Sequence, residues 1–216
     1  MSPTRRPRVL LADDHLMVAE ALKRLLTPEF DLVGVVEDGR ALVEAAGKLR
    51  PDVIVADVTM PHLNGIDALV QLRQRGDRVP VVFLTMHRDA TFARRALDAG
   101  ASGFVLKHSA PAELVTAIRA ALEGRTYLTP QLAGEVLNGM KQGPERAADP
   151  VASLTPRQRE VLQLLAEGRS AKEIASSLAI STRTVEFHKY QMMETLGLHT
   201  NAELIHFAIK HGLVEL

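Results

Sequence analysis

Three apolar runs of strand length each stop at an ionisable residue. Val9-Leu10-Leu11-Ala12 runs into Asp13-Asp14, Val53-Ile54-Val55-Ala56 into Asp57, and Phe104-Val105-Leu106 into Lys107. Runs this short, apolar without alternation, fit strands covered on both faces. In an open parallel sheet the strand carboxyl ends share one edge, and that edge holds the ligand crevice. Three carboxylates gathered there repel one another and call for a hard cation such as Mg²⁺.

The rest of the N-terminal half supports such a sheet. Two more apolar, β-branched runs occupy residues 32–36 and 81–84, and helical patterns fall at 16–26, 41–49, 66–73, 91–99 and 112–122. Five strands alternating with five helices predict an α/β fold with a doubly wound, five-stranded parallel sheet. Pro51 and Pro80 precede strands, and Gly124 stands where the fifth helix should stop. From 125 to 150 the pattern loosens: 131–140 can form a short helix, and 141–150 reads as a flexible linker.

From Leu154 on, every pattern is helical. Thr155-Pro156-Arg157-Gln158, Ser170-Ala171-Lys172-Glu173 and Thr200-Asn201-Ala202-Glu203 are capping boxes, and Ser181 can cap a further helix. Helices are expected at about 156–166, 171–178, 182–196 and 201–211, with Gly168 and Gly197 closing two of them. The predicted organisation is an α/β domain over 6–125, a linker with a possible short helix over 126–152, and a small all-α four-helix domain over 153–216.

Composition excludes several classes. The chain of 216 residues has no cysteine, so disulfides, thiolate metal sites and cysteine nucleophiles are absent. Its formal net charge of +0 gives no global attraction to nucleic acid or membrane. Only four apolar residues, 9–12, follow the basic N-terminus before Asp13, too few for a signal peptide or a membrane span. A soluble, cytoplasmic protein is expected.

With Asp13, Asp14 and Asp57 at one edge, one acid can ligate Mg²⁺ directly and another through water. The third is left as a nucleophile toward phosphorus, giving an aspartyl-phosphate. Lys107 is placed to neutralise phosphoryl oxygens, and the Thr85 hydroxyl, at the end of Val81-Val82-Phe83-Leu84-Thr85, to donate to one. Two other chemistries use a related arrangement. A dehalogenase-type phosphatase needs a second acid two residues past the nucleophile, where Thr59 stands. A flavin site would want a hydroxyl-rich phosphate loop after the first strand, where Asp13-Asp14 would repel phosphate.

Residues 8 to about 124 resemble the receiver domain of bacterial two-component response regulators, a flavodoxin-like fold. The matching motifs are Leu11-Ala12-Asp13-Asp14-His15, Asp57-Val58-Thr59-Met60-Pro61-His62-Leu63-Asn64-Gly65, Thr85, and Gly103-Phe104-Val105-Leu106-Lys107. The resemblance implies that Asp57 accepts phosphate from a phosphohistidine of a sensor histidine kinase. It implies that Asp14 and Asp57 ligate Mg²⁺ directly, with the Thr59 backbone carbonyl, and that Asp13 acts through water. Thr85 and Phe104 hold the positions of a hydroxyl and an aromatic ring that switch together on phosphorylation. Asn64 departs from the Asp more common there. Thr59 and His87 hold the positions that tune loss of the phosphoryl group, and His87 is expected to shield it.

In the C-terminal part, residues 170–178 and 182–196 with the turn Ala179-Ile180-Ser181 form a helix-turn-helix pattern, whose second helix enters the major groove. Residues 154 to about 209 resemble the LuxR-type helix-turn-helix through Leu154-Thr155-Pro156-Arg157-Gln158-Arg159-Glu160-Val161-Leu162, Lys172-Glu173-Ile174-Ala175, Ser181, Thr184-Val185, His188 and Leu196-Gly197. The whole chain resembles a response regulator of the NarL/FixJ class. Candidate DNA contacts are Lys172, Thr182, Arg183, Thr184, Glu186, Phe187, Lys189 and Tyr190. Glu186, Thr195 and Asn201 stand where basic residues are frequent. From Val151 on, seven acids balance seven bases, unusual for a reader of a polyanion. A small protein-binding helical bundle is the alternative for this segment. The resemblance implies a transcription regulator rather than an enzyme. Its unphosphorylated receiver would mask the helix-turn-helix or disfavour its dimer, and its phosphorylated homodimer would bind promoter DNA.

Overall fold

A computed structural model describes residues 5–86, 90–141 and 149–214. The expected five strands are present: β1 (Arg8–Ala12), β2 (Asp31–Val36), β3 (Val53–Asp57), β4 (Val81–Thr85) and β5 (Gly103–Leu106). Between and after them lie α1 (Leu16–Leu26), α2 (Gly39–Leu49), α3 (Gly65–Gln74), α4 (Ala90–Asp98) and α5 (Ala110–Leu122). A sixth strand, β6 (Tyr127–Leu128), joins the sheet from the segment where the sequence pattern loosens. Two residues are too few to carry a periodicity. All pairings are parallel, in the order β2-β1-β3-β4-β5-β6.

Side chains alternate across the pleat. Leu10, Ile54, Phe83 and Phe104 face a core shared with α2, α3 and α4. Val9, Leu11, Val55, Val82 and Val105 face the other core, under α1 and α5. This two-sided burial is why the strands read as continuous apolar runs. Helix α2 begins earlier than its apolar period because the Asp38 carboxylate accepts from the Arg40 and Ala41 N–H groups. The expected short helix is α6 (Pro130–Lys141), which buries Leu132 and Val136 in the first core.

A 3₁₀ turn at Pro150–Ser153 leads into α7 (Pro156–Ala166), α8 (Ala171–Leu178), α9 (Thr182–Leu196) and α10 (Asn201–Lys210). All three capping boxes form, and the Ser181 hydroxyl accepts from the Thr184 N–H. Val161, Leu162, Ile174, Leu178, Val185, Met192, Leu204 and Ala208 make the core, with Ile180 and Leu196 partly buried against it. Gly197 caps α9 at φ 65°, a left-handed conformation that glycine adopts without cost.

The helical domain docks on the sheet domain through α7. Arg159 Nε lies 2.6 Å from Asp67 Oδ1 of α3, and Gln71 Nε2 donates to Glu160 Oε1 at 2.7 Å. On α4, Arg95 pairs with Asp149 at 2.9 Å and donates to the His211 carbonyl, and Phe92 packs on Gly212. Arg40 at the start of α2 donates to the Ser177 carbonyl of α8 at 2.7 Å.

Candidate functional site

The parallel register brings the strand ends together. Ala12 pairs with Ala56, so Asp13 and Asp57 emerge side by side where the strand order reverses, between β1 and β3. Asp57 pairs with Leu84, and Thr85 with Leu106, which places Thr85 and Lys107 on the next two strand ends. Lys107 Nζ bridges the acids, 2.6 Å from Asp57 Oδ2 and 2.9 Å from Asp13 Oδ2, with the lysine and Asp57 side chains only 9% and 7% exposed. Burial pulls the Lys107 ammonium down, but Asp57 and Asp13 more than reverse this and leave its pKa raised. The pocket therefore holds its lysine protonated, as charge neutralisation requires.

Asp14 completes the acidic set from a more open position, its side chain 31% exposed and 2.9 Å from His15 Nδ1. Asp13, Asp14, His15 and Asp57 each offer a ligand atom within 4.8 Å of the others. His15 also donates its backbone N–H to Asp13 Oδ1 at 2.9 Å. Only its place directly after the acid pair signals this in the sequence. The Thr59 hydroxyl is buried with no partner among the described residues. Hard carboxylate oxygens, a retained positive charge and an orphaned hydroxyl fit a divalent cation beside a phosphoryl group. Held there, Mg²⁺ would supply neutralisation of phosphoryl charge, with Asp13, Asp14 and Asp57 around it.

Thr85 is buried at the end of β4, and Phe104 is wholly buried on β5, its ring in the core that also holds Phe83. His87, expected to shield the site, lies outside the described residues. The loop after Asp57 is held tightly. A Cβ on Gly65 would come 2.1 Å from the Asp57 carbonyl oxygen, so only glycine lets α3 start this close to β3. His62 sits at φ 66°, a strained conformation for a side chain with a Cβ. Thr59 N lies 3.4 Å from Asp57 Oδ1.

In the second candidate site, Arg183, Glu186, Phe187 and Tyr190 are exposed on α9, Phe187 by 56% and Tyr190 by 67%. Thr182 and Lys172 are exposed, Thr184 is half-buried, and its hydroxyl lies 2.8 Å from the Ser181 hydroxyl at the helix start. Glu186 pairs with Lys189 at 3.0 Å, rather than with Arg183 as its spacing also allowed. Among the described residues, the sheet domain meets α7, Asp149, Ser177 of α8 and the His211–Gly212 turn after α10, and Arg183, Glu186, Phe187 and Tyr190 of α9 stay exposed.

Known proteins place both sites in families. Residues 9–119 match the response regulator receiver domain, and residues 152–208 match the bacterial regulatory proteins of the luxR family. The transcriptional regulatory protein MctR of Rhizobium johnstonii is 35% identical over 98% of this chain and 98% of its own. The response regulator UvrY of Escherichia coli is 31% identical over 95% of this chain and 94% of its own. Among solved structures, the Salmonella typhimurium RcsB response regulator aligns with a TM-score of 0.66 at 27% identity, covering 98% of this chain and 100% of that one. RcsB bound to a promoter in the presence of a phosphomimetic aligns with a TM-score of 0.64 at 27% identity, covering 94% of this chain and 98% of that one. With its acid pocket on a parallel sheet and its helix-turn-helix beyond, the chain belongs to the two-component response regulators of the NarL/FixJ class.

Proposed function

We propose that this response regulator controls transcription through phosphorylation of Asp57. The observation that carries the reading is the Lys107 ammonium between Asp57 and Asp13 in a buried pocket that also gathers Asp14. An Asp57 carboxylate oxygen attacks the phosphorus of a sensor kinase's phosphohistidine. The new O–P bond forms as the N–P bond breaks, and the leaving imidazole takes up a proton. Lys107 and the Thr85 hydroxyl stabilise charge on the transferred oxygens, with Mg²⁺ as the implied cofactor. Asp57 acts on its own phosphoryl group only, so no turnover of an external phosphomonoester is expected.

The exposed α9 face supports promoter binding by the same chain, as does the promoter-bound RcsB structure. The neutral domain must draw affinity from local arrangement and from pairing of two copies on a two-fold site rather than from net charge. A homodimer in the phosphorylated form and a cytoplasmic location complete the reading. Among the described residues no helix is long and apolar enough to cross a membrane.

The test is incubation with Mg²⁺ and acetyl phosphate, followed by intact mass and peptide mapping. One phosphoryl group should appear on Asp57, vanish in Asp57→Ala and in excess chelator, and increase duplex DNA binding. Substantial labelling of Asp57→Ala overturns the assignment.

A further inference from the structure

The loop that follows Asp57 is completed by a residue from the other domain. Gln163, on α7, is 1% exposed and spends both ends of its amide on this loop. Its Nε2 donates to the Met60 carbonyl at 2.8 Å, and its Oε1 accepts from the Asn64 N–H at 2.8 Å. One turn on, Glu167 Oε1 accepts from the His62 N–H at 2.8 Å and from Gln163 Nε2 at 2.9 Å. Three backbone groups of the acceptor loop are thus satisfied across the domain boundary. Buried backbone groups need partners, so the loop's placement and the docking of α7 are one arrangement.

We propose that Gln163, supported by Glu167, is a positioning residue of the phosphoacceptor site. It holds loop 58–64 in its unphosphorylated placement, so docking of the DNA-binding domain and phosphorylation of Asp57 oppose each other. The inference rests on the reading of Asp57 as the phosphoacceptor. A phosphoryl group brings oxygens that seek donors within the pocket. The Thr59 N–H, 3.4 Å from Asp57 Oδ1, is at the limit of hydrogen-bond reach and is drawn inward when a better acceptor arrives. Gln163 and Glu167 tie the next backbone groups of the same loop, at Met60, His62 and Asn64, to α7 instead. A shift of an ångström is enough to break bonds of this length. The coupling is reciprocal: whatever opens the clasp favours phosphorylation by the factor with which phosphorylation favours opening.

The full chain tests this with Gln163→Glu, which keeps the shape of the side chain. A carboxylate cannot donate to the Met60 carbonyl, and it stands against the Glu167 carboxylate. The variant should show a larger radius of gyration by small-angle scattering. It should also take phosphate from acetyl phosphate at least about fivefold faster than the wild type, the lower end of ordinary allosteric coupling. Gln163→Ala, which introduces no charge, should move both readouts the same way and serves if the isostere fails to fold. Domains that separate with no change in phosphorylation rate overturn the proposal, because α7 is then a dock and not a positioning element. Unchanged scattering in both variants overturns it too. A wild type that takes no label on Asp57 removes the underlying reading, an outcome distinct from a labelled wild type matched by both variants.

Discussion

Asn64 Nδ2 donates to Asp67 Oδ2 at 2.8 Å, while Asn64 Oδ1 accepts the Asp67 N–H at 2.9 Å. The asparagine caps α3 and also supplies a donor to a buried carboxylate whose other oxygen meets Arg159. That gives a reason for the departure from the family's more usual Asp: a carboxylate at this position would face Asp67 with no proton to offer. Asn64→Asp should lower stability by about 1–3 kcal/mol, the cost of an unsatisfied buried polar group. Thermal or urea unfolding of the full chain measures it, and an unchanged midpoint would remove the donor argument.

Lys107 is the counter-charge that Asp13 and Asp57 share, and its loss leaves two neighbouring carboxylates without it. Lys107→Met should destabilise by about 1–3 kcal/mol without Mg²⁺, short of a fully buried orphan because the pocket opens to water at Asp14. Mg²⁺ should then raise the melting temperature more in the variant than in the wild type, since the ion takes over the lost neutralisation. Equal Mg²⁺ shifts in the two proteins would count against a shared site.

The capping glutamates make the starts of α8 and α10 sensitive to acid. Glu173 lies below the ordinary carboxylate value because of hydrogen bonds from the Ser170 side chain and backbone, and Glu203 because of the His199 and Thr200 N–H groups. A depressed carboxylate stabilises above its unfolded value, about 4.3, and loses that contribution as pH falls through the folded values. Helicity followed by circular dichroism should be flat down to about pH 4.5 and fall below it. Glu173→Gln and Glu203→Gln should flatten the acid limb, and a limb unchanged in the double variant would place its origin elsewhere.

Glu186 holds Lys189 at 3.0 Å, so on α9 an acid offsets the positive charge of a candidate DNA contact. Glu186→Gln should free the ammonium and steepen the dependence of log K on log salt by about one. If Glu186 accepts from a cytosine amine, the same variant should lose about 1–3 kcal/mol of preference at one base pair. A steeper slope with preference intact would assign it only the first role.

Much of this was legible in the chain itself. Strand ends announce themselves because each apolar run stops at a charge that must leave the apolar core for the polar pocket at the sheet's edge, as at Asp13, Asp57 and Lys107. Helix starts in the second domain were readable because Ser/Thr with Glu/Gln three residues on is a local chemistry. What the sequence hid is non-local. Nothing around Gln163 says that its amide will meet Met60 and Asn64 about a hundred residues earlier. Arg159 and Asp67 likewise read as ordinary surface helix charges until α7 is laid on α3. Strand β6 escaped because its pairing, not its pattern, defines it.

That short strand has a practical consequence. Beside β5, Tyr127 and Leu128 occupy the main-chain groups that a terminal strand would present, and Thr129 Oγ1 accepts the Leu106 N–H while donating to Glu113. A fragment cut at Arg125 would strip this seam and uncover β5 along its length, inviting self-association through strand addition. Such a piece could pair with its own copies for reasons unrelated to signalling. Fragments meant to report on the phosphoacceptor half in isolation should therefore run through Lys141, keeping α6 folded against α4.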